Sequence, residues 1–199
     1  MSQISDQELI KGYLNGNEQA LAVLLDRYIK PLHTFVYHLV GGNSEADDVV
    51  QETCVKLWRS LKKYDSQKNF KTWIFQIAKN TAIDYLRKKR PLRYEDLTME
   101  DGETLFGETI ADPRPSILEV LERRNAIQFL QSVIEKLPVA QQLVLDLYYR
   151  EQLNFREIAE ILSESLHTVK SRHYRALQSL KELLEAEPKL YAPKSPDGT

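Results

Sequence analysis

The stretch LNFREIAEILSESLHTVKSRHYRALQSL, residues 153–180, decides how the C-terminal part of this chain folds. Apolar residues recur every three or four positions on both sides of the polar segment SES, which indicates two helices joined by a tight turn. The first helix carries Glu157 and Glu160, whereas the second carries only bases up to residue 181, namely Lys170, Arg172, Arg175 and Lys181. This inequality is typical of a helix-turn-helix motif, whose second helix lies in the major groove of DNA. An ordinary helical hairpin with a solvated basic face is the alternative.

Helical periodicity also dominates the rest of the chain, and no segment shows the strict alternation expected of a strand. The sequence therefore predicts an all-α fold of two small helical domains. Helices are predicted at about 6–14, 18–40 with a bend or restart at Pro31, 45–61 and 70–90, and again at about 117–137, 139–150, 155–162 and 168–184. Asn154 is a predicted N-cap, and Pro138 is expected at a helix start. The predicted domains are 1–92 and 119–185, with an acidic linker at 93–118 and a flexible tail at 186–199.

Charge is distributed unevenly along the chain, although the formal net charge is only −2. Residues 54–93 contain twelve bases and two acids, while residues 1–53 contain eight acids and three bases. Residues 94–119 contain eight acids and one base, and they lack sustained periodicity. The basic segment indicates a surface that binds a polyanion, and the acidic segment is typical of a mobile connector. Their opposite charges predict that the free chain masks its own DNA-binding surface.

Several classes of protein are disfavoured by what the sequence lacks. Cys54 is the only cysteine, so an internal disulfide or a multi-cysteine zinc site is excluded. No apolar run approaches the ~20 residues of a membrane span, and the N-terminus lacks the pattern of a signal peptide, so we expect a cytoplasmic protein without membrane insertion. There is no P-loop, HExxH or GxSxG motif, and the histidines lack metal-binding spacing. We therefore expect no enzyme activity, no catalytic residue, no metal and no cofactor.

The predicted helix at 70–90 has an apolar arc and an opposite polar face. At 100° per residue the polar face contains Thr72, Trp73, Gln76, Lys79, Asn80 and Arg87. In and beside the preceding loop it is extended by Tyr64, Ser66, Lys68 and Lys71. An aromatic ring among amides and cations suits single-stranded nucleic acid, because bases stack on rings and phosphates pair with cations. The alternative is that Trp73 fills a seam against a neighbouring helix.

A third constellation lies in SEADDVVQETCVKLWRSLKKYD, residues 44–65. Ser44 followed by acids makes a favourable helix start, since negative charge near a helix N-terminus interacts well with the macrodipole. That local role, on a solvated helix face, explains Asp47 and Asp48 as well as a binding role does.

Taken together, these segments resemble the extracytoplasmic-function (ECF) sigma factors, the small bacterial subunits that direct RNA polymerase to promoters. Residues 6–28, 47–65 and 70–90 look like domain two of that family, and residues 137–177 look like its domain four. The resemblance covers nearly the whole chain, and the order of the segments is specific to the family, whereas a helix-turn-helix by itself is not.

The resemblance implies partners and residue roles. It implies that one helix docks on the clamp-helix coiled coil of the polymerase β′ subunit through Asp47, Asp48, Gln51, Glu52 and Trp58, and that domain four contacts the β flap. The loop at 64–70 and Asn80 would read a flipped-out base of the melted minus-ten element, with Trp73 near the duplex edge. The minus-thirty-five element would be read as duplex by Thr168, Lys170, Ser171, Arg172, Tyr174 and Arg175. An anti-sigma factor is a further partner that the resemblance allows.

The chain departs from the family pattern in the helix-turn-helix. The usual glycine of the turn is replaced within SES, the recognition helix starts with His167 instead of glycine, and His173 stands where an apolar residue is usual. A stand-alone helix-turn-helix regulator is the alternative function. It would bind a palindromic operator without polymerase.

Overall fold

A computed structural model describes residues 4–89 and 124–186 of the chain. Within these two ranges every regular element is helical and no strand occurs, so the prediction of an all-α fold is confirmed. The predicted linker at 93–118, the tail beyond residue 186 and the start of the helix predicted at 117–137 lie outside the described residues. No helix within the described ranges combines the length and the apolar character that crossing a membrane requires.

Four helices form the first bundle: α1 (Asp6–Leu14), α2 (Glu18–Val40), α3 (Asn43–Ser60) and α4 (Phe70–Lys89). A capping box begins α1, because the Ser5 side chain accepts a hydrogen bond from the Glu8 N–H while the Glu8 side chain accepts one from the Ser5 N–H. Gly41 ends α2 with a φ of 78°, a left-handed conformation that glycine adopts without a steric penalty. A 3₁₀ turn at Leu61–Lys63 follows α3.

The core of the first bundle is built from apolar residues at helical spacing on all four helices. Its largest fully buried side chains are Leu24, Leu32, Phe35, Leu57, Leu61, Ile74 and Phe75. The predicted start of α3 at residue 45 is two residues late, since the helix begins at Asn43 with Gly42 as its N-cap. At Pro31 α2 continues as one helix, so of the predicted bend or restart the restart does not occur.

Four further helices form the second bundle: α5 (Arg124–Ile134), α6 (Val139–Leu145), α7 (Phe155–Leu162) and α8 (Leu166–Ala186). A π-helical turn at Asp146–Arg150 continues α6. Asn154 is the N-cap of α7, as predicted, because its side chain accepts hydrogen bonds from the N–H groups of Arg156 and Glu157. Pro138 is the N-cap of α6.

The turn between α7 and α8 closes a helix-turn-helix with a serine in place of glycine. Ser163 has a φ of 57°, in the left-handed region. Its N–H donates to the Glu160 carbonyl at 3.3 Å, and the Glu164 N–H donates to the Ala159 carbonyl at 3.0 Å, which together satisfy the last carbonyls of α7. A non-glycine residue in this conformation carries steric strain, which the surrounding structure must offset.

The two bundles pack against each other through α4 on α7 and α2 on α6. One apolar cluster runs through both, since residues such as Phe75 and Ala78 belong to the same cluster as Leu147, Ile158 and Ile161. A smaller cluster joins α5, α6 and α8 within the second bundle. This contact between the bundles determines which polar side chains of α4 reach solvent.

Candidate nucleic-acid and polymerase interfaces

The loop between α3 and α4 is shaped by its own side chains. The Asp65 carboxylate accepts a hydrogen bond from the Gln67 N–H at 3.0 Å. The Asn69 side-chain oxygen accepts one from the Lys71 N–H at 2.9 Å, so that Asn69 caps the N-terminus of α4. Short polar residues thus fix the path of the loop where the sequence predicted a nucleic-acid contact.

Two longer contacts also hold this loop. The Tyr64 hydroxyl donates to the main-chain oxygen of Lys68 across the loop. Gln7 of α1 donates from Nε2 to the main-chain oxygen of Ser66 at 3.2 Å. The side chains of Ser66 and Lys68 are exposed, as the prediction of a contact surface requires.

An aromatic cluster forms the base of the loop. The Trp73 ring lies 4.9 Å from the Tyr64 ring and 5.9 Å from the Phe70 ring, measured between centroids, and Tyr28 packs edge-on against Phe70 at 5.4 Å. Trp73 is half-buried and packs on the main apolar cluster. Part of the indole therefore fills a seam, as the alternative interpretation held, while the rest faces solvent beside Tyr64.

The polar face of α4, defined as Lys71, Thr72, Trp73, Gln76, Lys79, Asn80 and Arg87, is unevenly exposed. Asn80 and Arg87 are exposed, whereas Gln76 and Lys71 are half-buried. Thr72 and Lys79 are buried, with Lys79 only 7% exposed. Periodicity predicted a solvent-facing surface here, and that is wrong for these two residues. Lys79 is covered by the C-terminal end of α7 in the second bundle.

Two lysines of this face bind oxygen atoms of the second bundle. Lys79 Nζ donates to the main-chain oxygen of Leu162 at 3.1 Å and to Ser163 Oγ at 2.6 Å, at the C-terminal end of α7. Lys71 Nζ lies 3.1 Å from the buried carboxylate of Glu151 and donates to the Glu151 main-chain oxygen at 3.0 Å. A lysine at a helix C-terminus also interacts favourably with the negative end of the helix dipole.

Two amides complete the contact. Asn69 donates from Nδ2 to Glu157 Oε1 at 2.6 Å, and Gln76 donates from Nε2 to the main-chain oxygen of Glu160 at 3.3 Å. Glu157 uses its other carboxylate oxygen to cap α7, by accepting from the Asn154 N–H at 2.9 Å. The N-terminal and C-terminal turns of α7 are therefore both bound by the first bundle.

Burial alters the protonation equilibrium of three groups near this contact. Burial lowers the pKa of Lys79, an effect that the charge of Glu164 opposes. Burial and the nearby Arg150 charge lower the pKa of His38 on α2, although a hydrogen bond with Gln142 opposes the shift. Burial raises the pKa of Asp146 to about 6, although its ion pair with Arg150 acts in the other direction.

The predicted polymerase-binding residues lie along α3. Asp47, Asp48 and Gln51 are exposed, and Glu52 pairs with Lys56 at 3.1 Å. Asp47 also lies 3.2 Å from His33 Nε2. Trp58 is 53% exposed, which is unusual for so large an apolar side chain. Acids therefore lie at one end of this face, and an exposed indole lies at the other.

Two residues that the sequence prediction omitted belong to this surface, which we call the α3 stripe. Val55 is exposed between Gln51 and Trp58 on α3, and its four- and three-residue separations from them could have identified it. Tyr13 of α1 accepts a hydrogen bond from Trp58 Nε1 at 2.7 Å. Nothing in the sequence signals this second contact, because the two residues are 45 positions apart.

The recognition helix α8 exposes only some of the residues that were predicted to contact the minus-thirty-five element. Lys170 and Tyr174 are exposed, and Thr168, Ser171 and Arg175 are half-buried. Arg172 is only 4% exposed, and its guanidinium pairs with Glu164 at 2.6 Å. In this arrangement Arg172 braces the turn of the helix-turn-helix, while its neighbours face outward. Its predicted role at DNA stays a prediction.

His173 packs in an aromatic box on the buried side of α8. Its ring centroid lies 4.8 Å from that of Tyr148, 5.1 Å from that of Phe155 and 5.7 Å from that of Tyr149. The imidazole thus occupies the place of an apolar residue and is surrounded by three aromatic rings. Among the described residues no group of three or more histidine, cysteine, aspartate or glutamate side chains could hold a metal ion.

Comparison with known proteins agrees with this geometry. Residues 24–91 match the family model "Sigma-70 region 2", and residues 133–182 match "Sigma-70, region 4". The chain is 33% identical to the ECF RNA polymerase sigma factor SigW of Bacillus subtilis, a match that covers 88% of this chain and 94% of SigW. It is 30% identical to the ECF RNA polymerase sigma-E factor of Escherichia coli, over 89% of this chain and 93% of that protein.

Solved structures give the same fold. The chain is similar to CnrH in its complex with the cytosolic domain of CnrY, with a TM-score of 0.59 and 24% identity, over 92% of this chain and 98% of CnrH. It is also similar to the sigma factor RpoE in complex with the anti-sigma factor NepR from Bartonella quintana, with a TM-score of 0.56 and 24% identity, over 82% of this chain and 95% of that one. With both sigma-70 regions in order and close relatives aligned over nearly their whole length, the chain belongs to the ECF RNA polymerase sigma factors.

Proposed function

We propose that this sigma factor binds core RNA polymerase through the α3 stripe and directs promoter-specific initiation by reading two promoter elements in different forms. The observation that carries the proposal is the presence of two chemically distinct surfaces on one chain, each suited to a different form of DNA. One is the outer face of α8, which is rich in lysine and arginine, and the other is the aromatic and amide surface formed by the 64–69 loop and α4.

The outer face of α8 suits duplex DNA. Lys170 and Tyr174 are exposed one helical turn apart, and Arg175 and Ser171 flank them. Side chains at this spacing on the second helix of a helix-turn-helix reach base edges and phosphates in the major groove. We assign this face to the minus-thirty-five element.

The surface beside the loop suits a melted strand. Trp73 and Tyr64 provide ring surface, and Asn80 provides an exposed amide that can donate to and accept from the edge of an unpaired base. Lys68 and Arg87 are exposed near the ends of this surface, where phosphates would pass. We assign it to the non-template strand of the minus-ten element.

The α3 stripe supports polymerase docking through an indole anchor with acids beside it. Tryptophan is enriched among the residues that dominate binding energy at protein interfaces, and acids on the rim favour a basic partner surface. We assign the partner as the clamp helices of the β′ subunit, with the β flap contacting the second bundle. The complex of RpoE with the anti-sigma factor NepR supports a similar partner for this chain. We expect the chain to act in the cytoplasm without a cofactor.

Run-off transcription with purified core RNA polymerase on genomic fragments tests this function. We expect discrete transcripts that require both the core enzyme and this chain. The alternative, a stand-alone regulator, predicts binding to a palindromic operator without polymerase and no transcript that depends on the chain. Core enzyme that yields the same transcripts with and without the chain would refute the proposal.

A further inference from the structure

The second bundle covers part of the surface assigned above to the minus-ten strand, while Lys68, Asn80 and Arg87 stay exposed. Lys71, Gln76 and Lys79 of α4, with Asn69 before it, all bond to the segment between Glu151 and Ser163. Single-stranded DNA on this face would need the same donors. Both ligands therefore compete for one set of ammonium and amide groups.

The chemistry of the covering surface resembles that of a nucleic-acid backbone. In each of these contacts the donor lies in the first bundle and an oxygen acceptor lies in the second. The acceptors are the carboxylates of Glu151 and Glu157, the main-chain oxygens of Glu151, Glu160 and Leu162, and the Ser163 hydroxyl. The end of α7 that meets Lys79 also carries the negative pole of the helix dipole.

We propose that α7 with Glu151 is an intramolecular competitor of single-stranded DNA, whose oxygen atoms occupy the phosphate- and base-binding donors of α4 until the two bundles separate. This inference rests on the function proposed above. The masking that the charge pattern predicted for the acidic segment stays a prediction, because that segment lies outside the described residues; the covering element described here is a helix of the second bundle.

The competition is one-sided. Lys170 and Tyr174 on α8 remain exposed while α7 lies on α4. The closed chain therefore masks the Lys71, Gln76 and Lys79 donors of the single-strand surface and leaves the outer face of the recognition helix open. Opening should raise affinity for single strands and leave affinity for duplex DNA nearly unchanged.

Ser163 and Glu151 allow the competitor to be weakened without altering α4. Ser163→Gly removes the hydroxyl that binds Lys79, and glycine tolerates the left-handed φ, so the turn is preserved. Glu151→Gln removes the charge that faces Lys71 and keeps the side-chain size. Glu160→Gln is the matched control, because it removes the same charge from the same surface and only the main-chain oxygen of Glu160 contacts Gln76.

The test uses the full-length chain and a fluorescein-labelled random-sequence single-stranded 20-mer, with binding followed by anisotropy. Each closing contact that is lost should raise affinity about fivefold, and the double variant about 25-fold while the closed state still dominates. Glu160→Gln should bind as the natural chain does. A labelled random-sequence duplex should bind the natural chain and all four variants alike. Equal single-strand affinities for the natural chain and the double variant would overturn the competition.

A second measurement detects the contact between the two bundles directly in the natural chain. A carbodiimide condenses the Lys71 amine with the Glu151 carboxylate when they are in contact, and mass spectrometry detects the linked peptides. The yield should fall as the unlabelled 20-mer is added. An unchanged yield at saturating DNA would mean that both ligands bind together, which contradicts the inference. Run-off transcription tests the proposed function independently, since promoter-specific transcripts without competition would refute only the inference.

Discussion

Replacing Trp58 by alanine should weaken binding to core RNA polymerase more than any other single truncation on the α3 stripe. Trp58 is 53% exposed. A tryptophan side chain presents about 250 Å², so covering the exposed half removes about 130 Å² from water, worth about 3 kcal/mol at ~25 cal/mol/Å². Ordering costs at the interface offset part of this gain, which leaves about 2–3 kcal/mol, or a dissociation constant raised about 30- to 150-fold.

Interferometry with immobilised core enzyme would measure this loss. Ile29→Ala is the matched control, because Ile29 is an apolar side chain of similar exposure, 48%, on a different helix. Tyr13→Phe gives a graded variant, since it keeps the ring and removes the acceptor that orients the indole at 2.7 Å. We expect it to weaken binding about fivefold. Because Trp58 lies largely outside the core, thermal unfolding of the free alanine variant should change little.

Equal dissociation constants for Trp58→Ala and Ile29→Ala would refute this assignment. The exposed indole would then have no role in docking, and the acids of α3 would return to the simpler interpretation of a solvated helix start. A loss with Trp58→Ala and none with Tyr13→Phe would keep the anchor and remove the orienting role of Tyr13.

Four further predictions concern the other surfaces. Asp48→Lys should weaken core binding at least fivefold in pull-downs at low salt, and less at high salt, because exposed charges are screened; salt-independent wild-type binding would contradict it. Asn80→Ala should reduce permanganate-detected promoter melting about tenfold with core affinity intact, and undiminished melting would remove Asn80 from base reading. Lys170→Ala should weaken holoenzyme binding to a minus-thirty-five duplex about tenfold in gel shifts, while an unchanged shift would place Lys170 outside the DNA contact. Asp146→Asn should stabilise the chain to urea by about 3 kcal/mol at pH 7.5 and not at pH 4, because burial raises the pKa of the Asp146 carboxyl to about 6. The stability that the protonated carboxyl contributes is present at a pH below its ordinary pKa and is lost as the pH rises through 6. Equal gains at both pH values would disprove this.

Local signals in the sequence were sufficient for the secondary structure. The capping residue Asn154, the apolar periodicity of α7 and α8, and the polar segment between them predicted the helix-turn-helix correctly, because each depends on neighbours within a turn or two. The ends of the helices were predicted less accurately, because neighbouring residues can serve equally well as caps. The helix α3 starts two residues earlier than predicted, since Gly42 and Ser44 are both acceptable caps.

Surface assignments depended on partners that no local pattern reveals. Periodicity placed Lys79 on a polar face, and the charge of the second helix singled out Arg172, yet both are buried. Lys79 bonds to Leu162 and Ser163, and Arg172 pairs with Glu164. In the same way, the exposed indole of Trp58 was predicted, and its hydrogen bond with Tyr13 was not.

The sequence by itself determined that this chain is all-α, that it carries a helix-turn-helix with a basic second helix, and that its motifs are those of an ECF sigma factor. The tertiary structure alone decided that α7 lies on the polar face of α4. Helical periodicity reports which face of a helix is polar, because that depends on spacing within the helix. What covers that face depends on oxygen atoms 80 or more positions away, such as those that bind Lys71 and Lys79, and only the packing of the two bundles brings them there.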